Sequence, residues 1–276
     1  MEITSTQNPK IKALIALQQK SSERRSQRLF VVEGQRELQH CIQAGLQIDT
    51  IFYCLTLTTP PIPNPPPRGG ARGGLSLFPV SPSLYQKIAY RGSTEGIIAI
   101  VKTPNLQLSD LRLSDTPLLV ILESVEKPGN LGAILRSADA AGADAVIVCD
   151  PLTDLYNPNL IRSSLGSIFT VPCVACPSED CIPFLKQQGI QILTAQLQDS
   201  HPYYDTDMTH GTAIVMGTES TGLTDQWRRA ADAHIRIPML GQLDSLNVSV
   251  SAAILMYEAV RQREQKKMQK NTHSTE

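Results

Sequence analysis

Apolar and polar positions change period along the chain in a way that marks alternating strands and helices. Phe30-Val31-Val32, the runs 50–54 and 75–80, and Gly96-Ile-Ile-Ala-Ile-Val101 are short and mostly apolar, the pattern of buried strands. Between them the sequence predicts a short helix over 8–20 and a second with Leu38, Cys41 and Ile42 on one stripe before Gly45. A third is opened by Ser81-Pro82, where a hydroxyl caps and proline suits the first turn. The alternation resumes as strand 118–122, helix 131–141 closed by Gly142, strands 145–148 and 168–174, a helix near 183–188, and strands 190–193 and 213–216. Strands that are apolar throughout and separated by helices belong in a largely parallel sheet covered on both faces. In the last helix Ala252, Leu255, Met256, Ala259 and Val260 recur at helical spacing, so one face packs against protein or a second subunit.

The fold class is therefore α/β, in two parts. Residues 1–102 form a smaller α/β unit, 103–116 a polar linker, 117–265 the larger domain, and 266–276 a disordered tail. Residues 58–74, Thr-Thr-Pro-Pro-Ile-Pro-Asn-Pro-Pro-Pro-Arg-Gly-Gly-Ala-Arg-Gly-Gly, predict a disordered insertion, because proline removes amide donors and glycine raises the entropy of ordering.

Composition narrows the class. With 41% apolar and 18% charged residues the chain is an ordinary globular protein. No apolar run approaches the roughly 18 residues of a membrane span. The amino terminus offers no basic region followed by an apolar stretch, which makes the cytoplasm the expected compartment. Six cysteines, at 41, 54, 149, 173, 176 and 181, are too dispersed for a disulfide framework. Cys173-Val-Ala-Cys176 with Cys181 has zinc-like spacing, yet no second pair or suitable histidine completes four ligands, so no metal is expected. Residues 1–110 hold 12 Lys and Arg against 7 Asp and Glu, and the remainder 13 against 19. The basic front half suits a phosphate-bearing partner. Arg24, Arg25 and Arg28 in the stretch 20–28 are candidate contacts there, a solvated connection being the plainer alternative.

Three segments carry the chemistry: 123–136 with Gly129-Asn130 and Arg136, Gly217-Thr-Glu219-Ser-Thr-Gly222, and Ile237-Pro-Met239 running on to Ser245-Leu246-Asn247-Val-Ser-Val. Glycines at strand-to-helix turns let backbone approach a ligand beyond the carboxyl ends of parallel strands. Neither glycine segment is a dinucleotide or triphosphate loop, which disfavours those sites and keeps a nucleoside ligand without phosphates open. Singly, Asn130, Ser245 and Asn247 are also read as helix caps and Glu219 as a loop brace. Arg136 falls near the edge of the stripe made by Leu131, Ile134, Leu135 and Ala138, from which it could reach a pocket mouth.

Taken together, the three segments resemble the signature of the SpoU (TrmH-like) RNA ribose 2′-O-methyltransferases of the SPOUT superfamily. Arg162-Ser-Ser164-Leu-Gly166 resembles a segment between motifs, and Phe30-Val-Val-Glu33-Gly34 with 90–101 resembles the family's ribosomal-protein-like substrate-binding domain. The resemblance implies a trefoil knot in the carboxy-terminal domain, a homodimer, and S-adenosylmethionine bound by Gly217, Gly222, Ile237, Met239 and Leu246. It further implies catalytic roles for Arg136, Asn130, Glu219, Ser245 and Asn247, and RNA contacts from Arg162 and Ser164. Two roles fit Arg136: a base activated by substrate phosphate, or a cation that positions phosphate and stabilises the developing alkoxide. The implied substrate is structured RNA, ribosomal before transfer RNA. A protein that keeps the fold for RNA binding or assembly without methyl transfer is the alternative from another class.

Overall fold

The computed structural model describes residues 2–58, 74–90, 95–218 and 221–273. In chain order the elements are α1 (Pro9–Gln19), α2 (Ser21–Gln27), β1 (Leu29–Glu33), α3 (Gln35–Gln43), β2 (Ile48–Tyr53), β3 (Ser76–Pro79), α4 (Pro82–Ile88) and β4 (Ile97–Lys102). They continue with β5 (Leu118–Glu123), α5 (Pro128–Ala141), β6 (Ala145–Cys149), α6 (Pro158–Ser163), β7 (Cys173–Cys176), α7 (Ser178–Gln187) and β8 (Gln191–Ala195). β9 (His201–Pro202), β10 (Thr212–Met216), α8 (Asp225–Ala230), β11 (Ala233–Arg236) and α9 (Val248–His273) complete the chain.

These elements pack as two compact units, one of residues 1–105 with 154–170, the other of 106–153 with 171–276. The first unit holds a four-stranded sheet in the order β1-β4-β2-β3, antiparallel except for β2 with β3. Its core gathers Ile11, Leu14, Phe52, Leu84, Tyr85 and Ile98 from helices α1 and α4 and the sheet. The segment 154–170 is held there by aromatic packing: Phe30 stacks on Tyr156 at 4.6 Å and on Phe169 at 5.8 Å between ring centroids.

The second unit is built on seven strands in the order β7-β6-β5-β10-β8-β11-β9, every pair parallel. Leu118–Glu123 and Thr212–Met216 are buried at every position, which explains why both strands read as unbroken apolar runs rather than alternating ones. On α9, Ala252, Leu255, Met256 and Ala259 are fully buried and the helix packs on α5, so the apolar face is covered within the chain rather than by a second subunit.

Several expectations are corrected. Residues 20–28 are not a loose connection: Ser21–Gln27 is helical, and Arg24 is 5% exposed, bonding Asp154 at 2.6 Å and the Leu17 carbonyl at 2.6 Å. Residues 266–273 continue α9. Glu, Gln, Lys and Met are strong helix formers, Lys267 pairs with Glu264 at 2.8 Å, and the Arg263 guanidinium donates to the carbonyls of Thr116, Pro117, Met208 and His210. The strand expected over 168–174 begins only at Cys173, after a single 3-10 turn at Ser167–Phe169. In the expected linker, Leu108, Leu111 and Leu113 pack on the core of the second unit. Of the 58–74 insertion, 59–73 lie outside the described residues, as does the end of the tail, 274–276.

Candidate functional site

The carboxyl ends of β8, β10 and β11 open onto a cavity of about 630 Å³ in the second unit. Open parallel sheets bind ligands at that edge, and the volume falls within the roughly 300–1,000 Å³ of small-molecule sites. Strand β10 ends at Met216, and the chain then turns through Gly217. A Cβ there would lie 2.3 Å from the Gly222 carbonyl carbon and oxygen and 2.6 Å from the Leu223 amide nitrogen, so only glycine fits. Thr218 and Gly222 exchange backbone hydrogen bonds of 3.3 and 3.1 Å, and Gly222 adopts φ +69°, which closes the loop. Below it, Thr224 donates its amide (2.9 Å) and its hydroxyl (2.6 Å) to the buried Glu123 carboxylate at the end of β5.

Gly217, Gly222, Ile237, Met239, Leu246, Ser245 and Asn247 all line this cavity. Asn130 lines a smaller adjoining cavity of about 120 Å³ that shares Gly217, Thr218 and Val248 with the larger one. The Asn247 amide donates to the Asn130 side-chain oxygen at 3.2 Å and links the two. Asn247 also serves as a cap, its oxygen accepting from the Ser249 amide at 2.9 Å, while Ser245 donates to Asp244. Glu219 lies outside the described residues.

Arg136 does not join them. It is exposed on α5 and lines neither cavity. At 100° per residue it sits about 150° from the centre of the stripe Leu131, Ile134, Leu135 and Ala138, on the far side of the helix rather than at the stripe's edge.

Two cavity residues were missed from sequence. The Arg228 Nε and the Gln196 Oε1 are buried without hydrogen-bond partners among the described residues, and both side chains line the cavity. Orphaned buried polar atoms are costly and rare, so this donor and acceptor, on two residues that line one cavity, are candidates for ligand contact. Neither carries a motif; Arg228 follows Trp227 on α8, and only the tertiary fold turns it inward.

Of the expected RNA contacts, Arg24 is committed to its ion pair with Asp154. Ser164 is fully buried, its hydroxyl donating to the Ile161 carbonyl at 2.7 Å and accepting from the Gly166 amide, which makes it a turn brace. Arg25, Arg28 and Arg162 are exposed. Arg162 lies over the Tyr90 ring at 5.6 Å and borders a cavity of about 300 Å³ in the first unit, a surface on which a nucleobase could stack.

A parallel sheet whose carboxyl edge opens onto a glycine-closed cavity is the small-molecule site of an α/β enzyme fold. The chain belongs to the SpoU rRNA Methylase family, whose model matches residues 117–257, and residues 8–99 match the MRM3-like substrate binding domain. It is 29% identical to the Bacillus subtilis 23S rRNA (guanosine(2553)-2′-O)-methyltransferase RlmP over 93% of this chain and 98% of that protein. It is 39% identical to the Vibrio vulnificus 23S rRNA (guanosine-2′-O-)-methyltransferase RlmB over 69% of this chain and 79% of that one. The crystal structure of an AdoMet-bound rRNA methyltransferase from Sinorhizobium meliloti aligns with a TM-score of 0.84 and 32% identity, covering 95% of this chain and 97% of that one. The chain is thus an RNA ribose 2′-O-methyltransferase that uses S-adenosylmethionine. Among the described residues no helix is long and apolar enough to cross a membrane.

Proposed function

We propose that the protein methylates a ribose 2′-hydroxyl of ribosomal RNA in the cytoplasm, holding S-adenosylmethionine in the 630 Å³ cavity. The observation that carries the cofactor's place is the cavity itself, where residues from the second and third sequence segments converge around the Gly217–Gly222 closure beside Arg228 Nε and Gln196 Oε1, which have no hydrogen-bond partner among the described residues. When bound, the cofactor supplies a methyl group on a sulfonium, open to attack by an oxygen nucleophile. Gly217, Gly222, Ile237, Met239 and Leu246 form the slot. Arg228 is the cation available to the cofactor's carboxylate, and Gln196 an acceptor for one of its N–H or O–H groups. Asn130 and Asn247, bonded to each other, fix the floor between the two cavities.

A ribose hydroxyl is a weak nucleophile, so a cation must favour the alkoxide that develops as its proton leaves. Arg136 is assigned that role, and its exposed setting on α5 calls for a second copy of the chain to bring it to a site. A homodimer is supported by the exposed Leu240, Leu243, Leu246, Val250 and Tyr257 around the start of α9, with Leu240 98% exposed. The first unit, with Arg25, Arg28 and the Arg162–Tyr90 pair, is assigned to RNA binding. The trefoil knot belongs to the same reading, in which 217–222 and 237–247 wrap one cofactor.

The test is a radiolabelled methyl-transfer assay on ribosomal RNA, followed by mapping of the modified nucleotide. Arg136→Ala should lose transfer by at least about a hundredfold while S-adenosylhomocysteine binds as in the wild type. Mixing Arg136→Ala with a Gly217→Ala chain should restore activity if the two residues serve one site from different subunits. Transfer to transfer RNA alone, or equal loss of binding and transfer in Arg136→Ala, would refute the assignment.

A further inference from the structure

Three thiols converge away from the cofactor cavity. The Sγ atoms of Cys149, Cys176 and Cys181 all lie within 4.8 Å of one another. Cys149 ends β6, Cys176 ends β7, and the two are register partners in adjacent parallel strands, so their side chains leave the same face of the sheet. Cys181 comes from the first turns of α7, five residues after Cys176. The zinc-like pair visible in the sequence, Cys173 and Cys176, is the wrong one. Three residues apart on one strand, their side chains point to opposite faces.

We propose that Cys149, Cys176 and Cys181 form a binding site for a thiophilic divalent cation of the zinc class. At a Zn–S distance of about 2.3 Å, three thiolates stand roughly 3.8 Å apart in tetrahedral and 4.0 Å apart in trigonal coordination, so the trio needs only small side-chain adjustments to close on an ion. Two of the sulfurs are sealed from solvent and Cys176 is part-exposed, which gives the ion one entrance and one open coordination position. Binding releases the thiol protons to water and leaves one net negative charge with a divalent ion, a better balance in a buried setting than a monovalent ion would reach. The site would cross-link the ends of β6 and β7 to the start of α7.

The neighbourhood supplies a reporter. Trp227, the single tryptophan of the chain, belongs to the same buried cluster as Cys149 and Cys181. Its indole N–H donates to the Ser178 hydroxyl at 2.9 Å, and that hydroxyl bonds the Asp150 carboxylate at 2.5 Å. Asp150 and Ser178 directly follow the ligands Cys149 and, with one residue between, Cys176.

The test uses the full-length chain without a histidine tag, kept reduced by a phosphine and titrated with Co²⁺. One equivalent should produce thiolate-to-cobalt charge-transfer absorption, discharged by Zn²⁺, together with a change in Trp227 fluorescence. Cys176→Ser and Cys149→Ser should abolish the band, and Cys173→Ser should keep it. If Cys149→Ser fails to fold by circular dichroism, the part-exposed Cys176→Ser decides. Alkylation read by mass spectrometry gives a second measure: Zn²⁺ should slow labelling of the part-exposed Cys176 at least tenfold. No band at one equivalent in the wild type, equal loss in Cys173→Ser and Cys176→Ser, unprotected Cys176, or a disulfide within the trio that forms in place of metal binding would each overturn the proposal.

Discussion

Replacing Gly217 by Ala tests whether the closure after β10 builds the cofactor slot. The new methyl would sit 2.3 Å from the carbonyl carbon and oxygen of Gly222 and 2.6 Å from the Leu223 amide, all backbone atoms. Ordinary contact between such atoms is about 3.5 Å, so one side of the loop must retreat by about 1 Å. Overpacking of that kind costs roughly 1–3 kcal/mol. The retreat also pulls on the two hydrogen bonds between Thr218 and Gly222, each contributing about 1 kcal/mol. A combined cost of roughly 2–5 kcal/mol falls on a wall of the cavity, and each 1.4 kcal/mol transmitted to the ligand is a factor of about ten in affinity. Calorimetry with S-adenosylhomocysteine should therefore show at least a tenfold weaker Kd, with Tm lowered by several degrees. Gly129→Ala is the control: nothing lies within 4 Å of its Cβ position, and alanine in a helix is favoured by up to about 1 kcal/mol. Affinity within twofold of the wild type and an unchanged Tm in Gly217→Ala would refute the reasoning.

If Arg228 serves the cofactor as proposed, Arg228→Gln should weaken S-adenosylhomocysteine binding about tenfold by calorimetry while leaving Tm nearly unchanged, since its Nε has no hydrogen-bond partner among the described residues. Arg24→Ala should cost roughly 3 kcal/mol in urea unfolding, since it strands Asp154, and the double variant with Asp154→Ala should cost less than the sum of the single ones. Hydrogen bonds from Arg261 hold the Glu258 carboxylate below the usual carboxylate range, as bonds from Thr209 do for Asp207. A depressed folded-state pKa gives stability that is present above the unfolded value and lost as pH falls through the folded one, so the Tm advantage of wild type over Glu258→Gln should shrink as pH falls below the ordinary glutamate value of about 4.3.

Local pattern made much of the second unit legible. Apolar runs located β5, β6 and β10, and Gly142 in a left-handed conformation ends α5 as its position implied. The second and third segments do meet at one cavity. What escaped reading depends on residues distant in sequence. Arg24 looked like a solvated charge because Asp154 lies 130 residues away. The thiol trio was hidden because Cys149 reaches Cys176 through strand pairing rather than through spacing. Arg136 was placed near the apolar stripe by its neighbours in sequence, whereas the helical angle turns it away. The final turns of α9 were read as a disordered tail because the four carbonyls gripped by Arg263 come from loops near 116 and 208.

Residues 154–170 have a consequence for anyone dissecting the enzyme. They lie inside the stretch matched by the methylase family model, yet their packing partners, Phe30 and Arg24, come from the amino-terminal unit. A gene cut at residue 106 would express a catalytic fragment with Tyr156 and Phe169 stripped of their aromatic neighbour and Asp154 of its counter-ion. Such a fragment should be sticky and protease-sensitive across that stretch, and swapping front halves between relatives would require exchanging this short helical excursion along with them.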